Sequence, residues 1–486
     1  MPILLRLGEI TLKSNRTRGR FESLLVHNII AALKMEGLKD FQILRERGRI
    51  FIYLRDEELE RKAIDVLRRV FGITSLSPVK ELCFKTLSDI AKYAEELFKD
   101  YVKDRSFAVR VKRVGKHDFT SLDVAREVGA VLYKYAKRVN LTNPERTVYV
   151  EIRNDKAYFY TEVIRAFGGL PIGSEGKVVA LVSGGYDSAV AAWFMLRRGA
   201  KVEYVFCNLG GLAHELGVLG VLKVLAEKWS YGYSPVLHVV DFTRIVKEMD
   251  SKCDRSLFNV VLKRFMYRVA EAIAGEVGAR AIVTGDSLGQ VSSQTLQNLY
   301  VSSLAIKMQV LRPLIGFDKE DIIRMAKEIG TYEASSQVIE FCAFYSRKPK
   351  TRARLEEVEN EEAKMNVEEL VNEAVKNRRV VSILEAKTPS LKELIIGNIP
   401  QDSVVIDLRS PEEYSEWHYP NAINVPFQDL LGFTSKLSRD KIYVLYCDEG
   451  SLSIEAAFLL NKMGYKAYSL HGGTRKLRRI CQLRFS

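Results

Sequence analysis

The sequence predicts a multidomain α/β protein organised around one doubly wound parallel sheet. Three observations point that way. At 486 residues the chain exceeds one ordinary domain and suggests roughly three or four. Between residues 177 and 352 short apolar runs alternate with helical stretches, the rhythm of a parallel sheet clothed by helices. At the start of that region Val178-Val179-Ala180-Leu181-Val182 breaks into Ser183-Gly184-Gly185-Tyr186-Asp187-Ser188, and a helix is expected over residues 189–198. A strand apolar throughout is covered on both faces, while Asp187 or Ser188 can cap the helix and Gly199 can end it.

Composition narrows the class. With 47% hydrophobic and 28% charged residues the chain reads as a soluble globular protein, and no apolar run approaches the roughly 18 residues that span a bilayer. Met1-Pro2-Ile3 leads straight into patterned sequence without a signal peptide, so a cytoplasmic location is expected. Basic residues exceed acidic ones by 74 − 61 = 13. That surplus favours a polyanionic partner through counterion release, yet charge alone fits a heat-adapted or merely basic surface equally well. The cysteines, Cys83, Cys207, Cys253, Cys342, Cys447 and Cys481, are widely spaced with no CxxC pair. Individual thiols are therefore expected rather than a disulfide framework or a metal site.

Taken in order, the first segment reads as strand, helix and strand over residues 3–7, 20–37 and 42–54, with Lys13, Arg16, Arg18 and Arg20 ahead of the helix. Helices over 57–70, 88–101 and 122–136 and strands over 107–112 and 147–153 follow. The stretch Phe107-Ala108-Val109-Arg110-Val111-Lys112-Arg113 alternates apolar and basic residues, so one edge or face is expected to carry Arg110, Lys112 and Arg113, with Lys116 nearby. Such modules can be solvated scaffolds. Their order, and Gly8-Glu9-Ile10-Thr11-Leu12-Lys13, resemble the ferredoxin-like and THUMP domains that precede tRNA-modifying catalytic domains, here expected over 1–58 and 59–166. The resemblance implies that Lys13, Arg16, Arg18, Arg110, Lys112, Arg113 and Lys116 position tRNA through its phosphates.

The glycine- and proline-dense Phe167-Gly168-Gly169-Leu170-Pro171-Ile172-Gly173-Ser174 marks the boundary of a central domain expected over 167–353. Without a Cβ at Gly184 or Gly185 a phosphate can approach the main chain closely, and the helix mouth adds partial positive charge. A lone Ser-Gly-Gly is common in surface turns; between a buried strand and a capped helix it favours nucleotide binding. The hexapeptide resembles the loop of ATP pyrophosphatases, SGGxDS, which wraps the β- and γ-phosphates of ATP so that AMP is transferred. No Walker string GxxxxGK[ST] occurs. Polar glycine-containing loops also follow the strands expected at 202–206 and 281–284, and three at neighbouring strand ends read as the walls of one site.

The strings FCNLGGLAHELG, GDSLGQVSSQT and LRPLIGFDKEDIIRMAKEIGT resemble those of the tRNA 4-thiouridine synthetase (ThiI) family, and the resemblance covers the whole chain in that family's domain order. It implies an ATP site bordered by Leu181, Val182, Ser183, Gly184, Gly185, Asp187, Ser188, Phe206, Cys207, Lys263, Gly285 and Gln294, with Asp187 supporting the pyrophosphate or its Mg2+ ion. On residues alone Lys263 reads as a solvated helix lysine. Likewise Cys342, between aromatic residues in Glu340-Phe341-Cys342-Ala343-Phe344, reads as a small core hydrophobe. The resemblance gives it a functional role.

Residues 354–398 are highly charged and read as a solvated helical linker. The last segment, 399–486, restarts an α/β rhythm. Its Cys447-Asp448-Glu449-Gly450-Ser451, after the apolar run at 442–446 and before a helix at 454–463, resembles a rhodanese loop, in which backbone donors at a helix mouth hold a thiolate or persulfide. Asp448 and Glu449 stand where such loops often carry arginine, and would oppose thiolate formation if they pointed inward. Ala189 stands where many pyrophosphatase loops place proline.

The whole resemblance implies an ATP-dependent tRNA sulfurtransferase with catalytic Asp187, Cys342 and Cys447. O4 of a uridine, expected at position 8, would be adenylated. Persulfide sulfur supplied by a cysteine desulfurase would then be delivered from Cys447, with a transient Cys342–Cys447 disulfide. The implied cofactors are ATP and Mg2+. The implied partners are tRNA, the desulfurase, a thiamine-pathway sulfur-carrier protein and a second copy of the chain.

Overall fold

The computed structural model describes residues 2–46, 48–55, 57–209, 211–336, 338, 349–386, 391–448 and 450–484. Among them no helix is long and apolar enough to cross a membrane. The chain divides into two compact units, Met1–Glu175 with Arg197–Gly199, and Gly176–Leu196 with Ala200–Ser486.

The first unit carries two five-stranded sheets. Strands β1 (Pro2–Leu7), β2 (Phe41–Glu46), β3 (Arg49–Leu54) and β4 (Ile73–Pro78) are joined by helices α1 (Asn15–Met35) and α2 (Glu60–Arg68). Helix α1 buries Phe21, Leu25, Ile29 and Leu33, one residue per turn at i, i+4 spacing. The second sheet comprises β5 (Lys80–Cys83), β6 (Ser106–Val114), β7 (Arg138–Val139), β8 (Arg146–Arg153) and β9 (Lys156–Tyr160), with α3 (Leu87–Val102) and α4 (Ser121–Tyr133) packed together. Both helices start at threonine capping boxes, Thr86 with Asp89 and Thr120 with Asp123. A final strand, β10 (Ile164–Arg165), returns to β4, giving the order β10-β4-β1-β3-β2. The first sheet thus extends past the boundary expected at residue 58, because β4 pairs antiparallel with the edge of β1 that β3 leaves open. The two sheets are pinned by Glu151 on β8, 1% exposed, which Arg49 on β3 and Arg153 both hold at 2.9 Å.

In the second unit the central sheet has the order β15-β14-β11-β12-β13-β16. Its strands are β11 (Lys177–Leu181), β12 (Lys201–Asn208), β13 (Val236–Asp241), β14 (Ala281–Val283), β15 (Gln309–Leu311) and β16 (Arg379–Ser382), all parallel except the last. Its helices are α5 (Tyr186–Arg197), α6 (Gly211–Trp229), α7 (Thr243–Lys252), α8 (Phe258–Val277), α9 (Leu296–Ser303), α10 (Lys319–Ile329), α11 (Tyr332–Ser335), α12 (Leu355–Glu362) and α13 (Val367–Lys376). The chain winds outward from β11 to β13, then returns to place β14 on the other side of β11. That switch point opens a crevice at the carboxyl end of β11, where ligands of such sheets bind. Helix α10 is capped by Asp318 and ended by left-handed Gly330.

The charged run after residue 354 is not the solvated linker its composition suggests. Val358, Leu370, Val371 and Val375 join the core formed by α7, α8 and the sheet. Glu362 accepts from Arg264 at 2.7 and 2.9 Å and from Arg268 at 2.7 and 2.8 Å, and β16 pairs antiparallel with β13. Acidic residues dominate the count, but the apolar minority is spaced for one helical face, and burial follows that face.

The C-terminal sheet is parallel throughout, in the order β17-β21-β20-β18-β19. It comprises β17 (Ile395–Ile396), β18 (Val404–Asp407), β19 (Ile423–Asn424), β20 (Ile442–Tyr446) and β21 (Lys466–Leu470), with α14 (Pro411–Glu416), α15 (Leu430–Phe433), α16 (Ser451–Lys462) and α17 (Gly473–Arg484).

Candidate active site

The 183–188 loop leaves the middle of the central sheet. Gly184 takes φ +83°, a left-handed turn that lets the chain enter α5 already at Tyr186, three residues before the expected start. Asp187 and Ser188 therefore lie in the helix's first turn instead of capping it. Ser188 Oγ donates to the Gly185 carbonyl at 3.1 Å and accepts from the Ser183 N–H at 3.4 Å, which folds the loop around the helix mouth. A Cβ at Gly184 would come within 2.8 Å of Val338 and 3.1 Å of Val218. His214, in the first turn of α6, fixes the loop's entry: its Nε2–H donates to the Ser183 carbonyl at 3.1 Å, and its ring stands edge-on to Phe206. Burial pushes the His214 pKa down to about 4, so the ring is neutral at neutral pH.

A second loop, following β14, presses onto α5. A Cβ on Gly285 would lie 2.6 Å from the Asp187 carbonyl carbon and 2.7 Å from the Ser188 nitrogen, so only glycine fits. From this loop Gln290 donates to Asp187 at 2.9 Å, and Lys319, at the start of α10, reaches the same carboxylate at 2.7 and 3.0 Å. Gln294 braces its own loop by accepting from the Ser287 N–H at 3.3 Å. The Tyr186 ring stacks on Tyr332 at 5.3 Å.

Lys263 is not a solvated helix lysine. It is largely buried and pairs with Asp286 at 2.5 Å. Asp286 also accepts from Thr284 at 2.8 Å, Tyr267 at 3.2 Å and Arg312 at 3.3 Å, while Arg312 reaches Ser303 at 2.7 Å. Burial pushes Lys263 down, but the Asp286 carboxylate outweighs it and holds the ammonium charged. Two cations around one carboxylate leave a buried net positive charge behind the strand ends. Leu181 is half-buried there, and Val182, Phe206 and Cys207 are buried. Asp187 offers hard oxygens beside the glycine loop, the donor chemistry that suits Mg2+.

Much later in the sequence, Cys447 follows β20 at the mouth of α16. The Gly450 N–H donates to its Sγ at 3.1 Å, and Ser453 Oγ lies 3.8 Å from the sulfur while bonded to Ser469 at 2.7 Å. Cys447 is 3% exposed. Gly473 closes that loop from the end of β21: a Cβ there would collide with the carbonyl oxygens of Cys447 and Asp448. Asp448 accepts from Thr474 at 3.0 Å and lies 3.7 Å from Arg409, so its charge is engaged away from the sulfur. Cys342 and Glu449 lie outside the described residues. Burial raises Cys253 to about 12, which makes it a poor nucleophile.

The expected phosphate contacts divide. Lys13, Arg16, Lys112 and Lys116 are exposed, and Arg110 shares the Lys112 face of β6 with its guanidinium on the Leu141 carbonyl. Arg18 is half-buried against Glu22 at 3.0 Å. Arg113 falls on the opposite face, tied to His117 at 3.0 Å, because successive strand residues alternate sides.

Sequence reasoning missed His214, Gln290, Lys319 and the Asp286–Arg312 pair as parts of this site. His214 and Lys319 stood within strings already singled out, but their partners lie 31 and 132 residues away.

Comparison with known proteins bears on this arrangement. Residues 173–367 match the family described as thiamine biosynthesis protein (ThiI), 2–77 the ThiI ferredoxin-like domain, 84–162 the THUMP domain and 389–479 the rhodanese-like domain. A tRNA sulfurtransferase of Pyrobaculum aerophilum is 45% identical over 472 residues, covering 96% of each chain. One from Desulfurococcus amylolyticus is 41% identical over 478 residues, covering 97% of each. Among solved structures, a 4-thiouridine synthetase–RNA complex with bound ATP superimposes with TM-score 0.69 at 33% identity, covering 78% of this chain and 98% of that one.

Proposed function

Given that the chain belongs to the tRNA sulfurtransferase (ThiI) family, we propose that it is an ATP-dependent sulfur-transferring enzyme that converts a uridine of tRNA to 4-thiouridine. The observation that carries this reading is the 183–188 glycine loop at the switch point of a parallel sheet, with the Lys263–Asp286–Arg312 charges behind it.

Backbone N–H groups of Gly184, Gly185 and Ser188 would face the β- and γ-phosphates, which suits a helix mouth, while the Ser183 N–H holds the turn in shape through Ser188 Oγ. Leu181, Val182, Phe206, Cys207 and Gly285 border the adenosine, and Gln294 shapes the wall by bracing its loop. Lys263 and Arg312 offset nucleotide charge. Lys319 is poised to leave Asp187 for a phosphate, and Asp187 would then hold Mg2+, whose chemistry there is charge neutralisation. Adenylation of uridine O4, taken as position 8, releases pyrophosphate and makes O4 a leaving group. The Cys447 persulfide, loaded by a cysteine desulfurase, attacks C4 and expels AMP. The Cys342 thiolate then attacks Cys447 Sγ, leaving sulfur on C4 and a Cys342–Cys447 disulfide that an external dithiol reduces.

Lys13, Arg16, Arg110, Lys112 and Lys116 supply phosphate contacts for tRNA, with Arg18 and Arg113 in supporting roles. In this reading the modules are the ferredoxin-like domain, the THUMP domain, the adenylating domain, which includes residues 354–382, and the rhodanese domain, the last two joined by residues 383–394. The thiamine description of the family supports a second outlet, in which Cys447 passes sulfur to a carrier protein for thiazole synthesis.

Two variants test the division of labour. Asp187→Ala should stop tRNA-dependent pyrophosphate release. Cys447→Ala should leave that release intact and abolish 4-thiouridine, read by nucleoside mass spectrometry. Undiminished 4-thiouridine from Cys447→Ala with a desulfurase as the sole sulfur source would overturn the assignment.

A further inference from the structure

One carboxylate in the second unit leaves its own sheet domain to serve another. Glu455 lies one turn into α16, the helix that opens directly after the Cys447 loop, and is 7% exposed. Its carboxylate accepts the backbone N–H of Leu212 at 3.1 Å and that of Ala213, both in the first turn of α6. These are donors that a helix cannot satisfy internally, and a carboxylate there gains both the hydrogen bonds and the helix dipole.

The receiving surface is shaped for it. Gly211, at φ +76°, opens α6, and a Cβ on it would stand 2.9 Å from the Glu455 carboxyl carbon. A side chain at residue 211 would therefore expel the carboxylate. The next residue after the two gripped amides is His214, which holds the Ser183 carbonyl, and one turn further Val218 packs against Gly184. The same helical turn thus grips the nucleotide loop with a side chain and the cysteine-bearing helix with its backbone.

We propose that Glu455 is a positioning residue for sulfur delivery: by capping α6 it docks the domain that carries Cys447 at the mouth of the 183–188 loop. This rests on the sulfurtransferase reading above, because docking matters only if the two loops act on one substrate. Glu455 touches no reacting atom. It sets how often the sulfur domain stands where the activated uridine is made.

The test uses the full-length chain as wild type, Glu455→Ala, Glu455→Gln and Gly211→Ala. Four quantities are read: tRNA-dependent pyrophosphate release, persulfide loading of Cys447 by mass spectrometry, 4-thiouridine formed in a single turnover from preloaded protein, and hydrogen exchange at the amides of residues 212 and 213. Glu455→Ala should speed exchange at both amides and slow single-turnover thiolation about tenfold, the size of a lost helix cap. Pyrophosphate release and loading should stay within about twofold. Glu455→Gln should fall between, since an amide oxygen still accepts but carries no charge. Gly211→Ala should reproduce the thiolation defect from the other side of the contact without altering α16.

Unchanged thiolation despite faster exchange would overturn the proposal, as would a loss of loading in parallel with thiolation in both Glu455 variants, which marks a merely structural role. Wild-type protein that releases no pyrophosphate with tRNA and ATP would instead sink the functional reading and leave the exchange result standing as a domain contact.

Discussion

The two loops that carry the chemistry are built on one plan and filled differently. Each leaves a strand with parallel neighbours on both sides, β11 or β20, and opens a helix, α5 or α16. Each contains a left-handed glycine, Gly184 or Gly450. Each is closed by a glycine at the end of the neighbouring strand, Gly285 after β14 or Gly473 after β21, whose missing Cβ lets backbone meet backbone. The difference lies in what takes the helix-mouth donors. In the C-terminal loop the Gly450 N–H is spent on the chain's own sulfur. In the central loop Asp187 is neutralised by Lys319 and hydrogen-bonded by Gln290, so no side-chain charge of the loop is spent on the helix-mouth donors. A helix mouth is thus a generic anion cradle, and the residue in the turn decides whether its guest is covalent or comes from solution.

The closing glycines give the sharpest way to break this parallel. Gly285→Ala should lower pyrophosphate release by about a hundredfold or more, as expected when backbone is displaced by an ångström at a reacting site, and should spare persulfide loading. Gly473→Ala should do the reverse. Each assay is blind to the other loop, so a variant that damaged both equally would show that the loops are not independent.

A smaller effect separates them by pH. His214 is neutral in the folded chain, with a pKa near 4 against 6.5 when unfolded. Between those values the unfolded chain binds more protons, so stability falls as pH falls. From pH 7 to pH 5 the loss from this residue should be about 2 kcal/mol. His214→Gln should flatten that part of the pH dependence of the denaturation midpoint; an unchanged slope would show that the ring is not buried neutral. Among the described residues of the C-terminal loop there is no buried histidine of this kind. The smallest test of that loop is Gly450→Ala, where a Cβ meets open space but φ stays at +98°. A cost of about 1 kcal/mol, read as a lower unfolding midpoint, is expected from backbone strain alone.

What was legible in the sequence follows from distance along the chain. Strand, glycine turn and helix are contiguous, so the 183–188 and Cys447 loops could be read directly, even though α5 starts earlier than its caps suggest. Lys319 and Asp187 are 132 residues apart, and nothing local marks either as the other's partner. Arg113 was misplaced because three basic residues so close in sequence look like one patch, whereas strand alternation puts the third on the other side. In the 354–382 region composition points to solvent and spacing to the core, and spacing wins: Val358, Leu370, Val371 and Val375 are few but all join the core. Asp448 is hostile to a thiolate by composition alone, but Thr474 and Arg409, which hold it, lie 26 and 39 residues away.

Strand β16 has a further consequence. By adding its antiparallel edge to the central sheet it anchors the chain at Ser382, and β17 begins at Ile395, about a dozen residues on. A segment of that length spans at most roughly 40 Å. A domain on a leash that short meets its target at an effective concentration in the millimolar range, however weak the contact between them. The Glu455 dock therefore refines an encounter that the covalent leash already guarantees, which is why its loss should slow sulfur delivery without ending it.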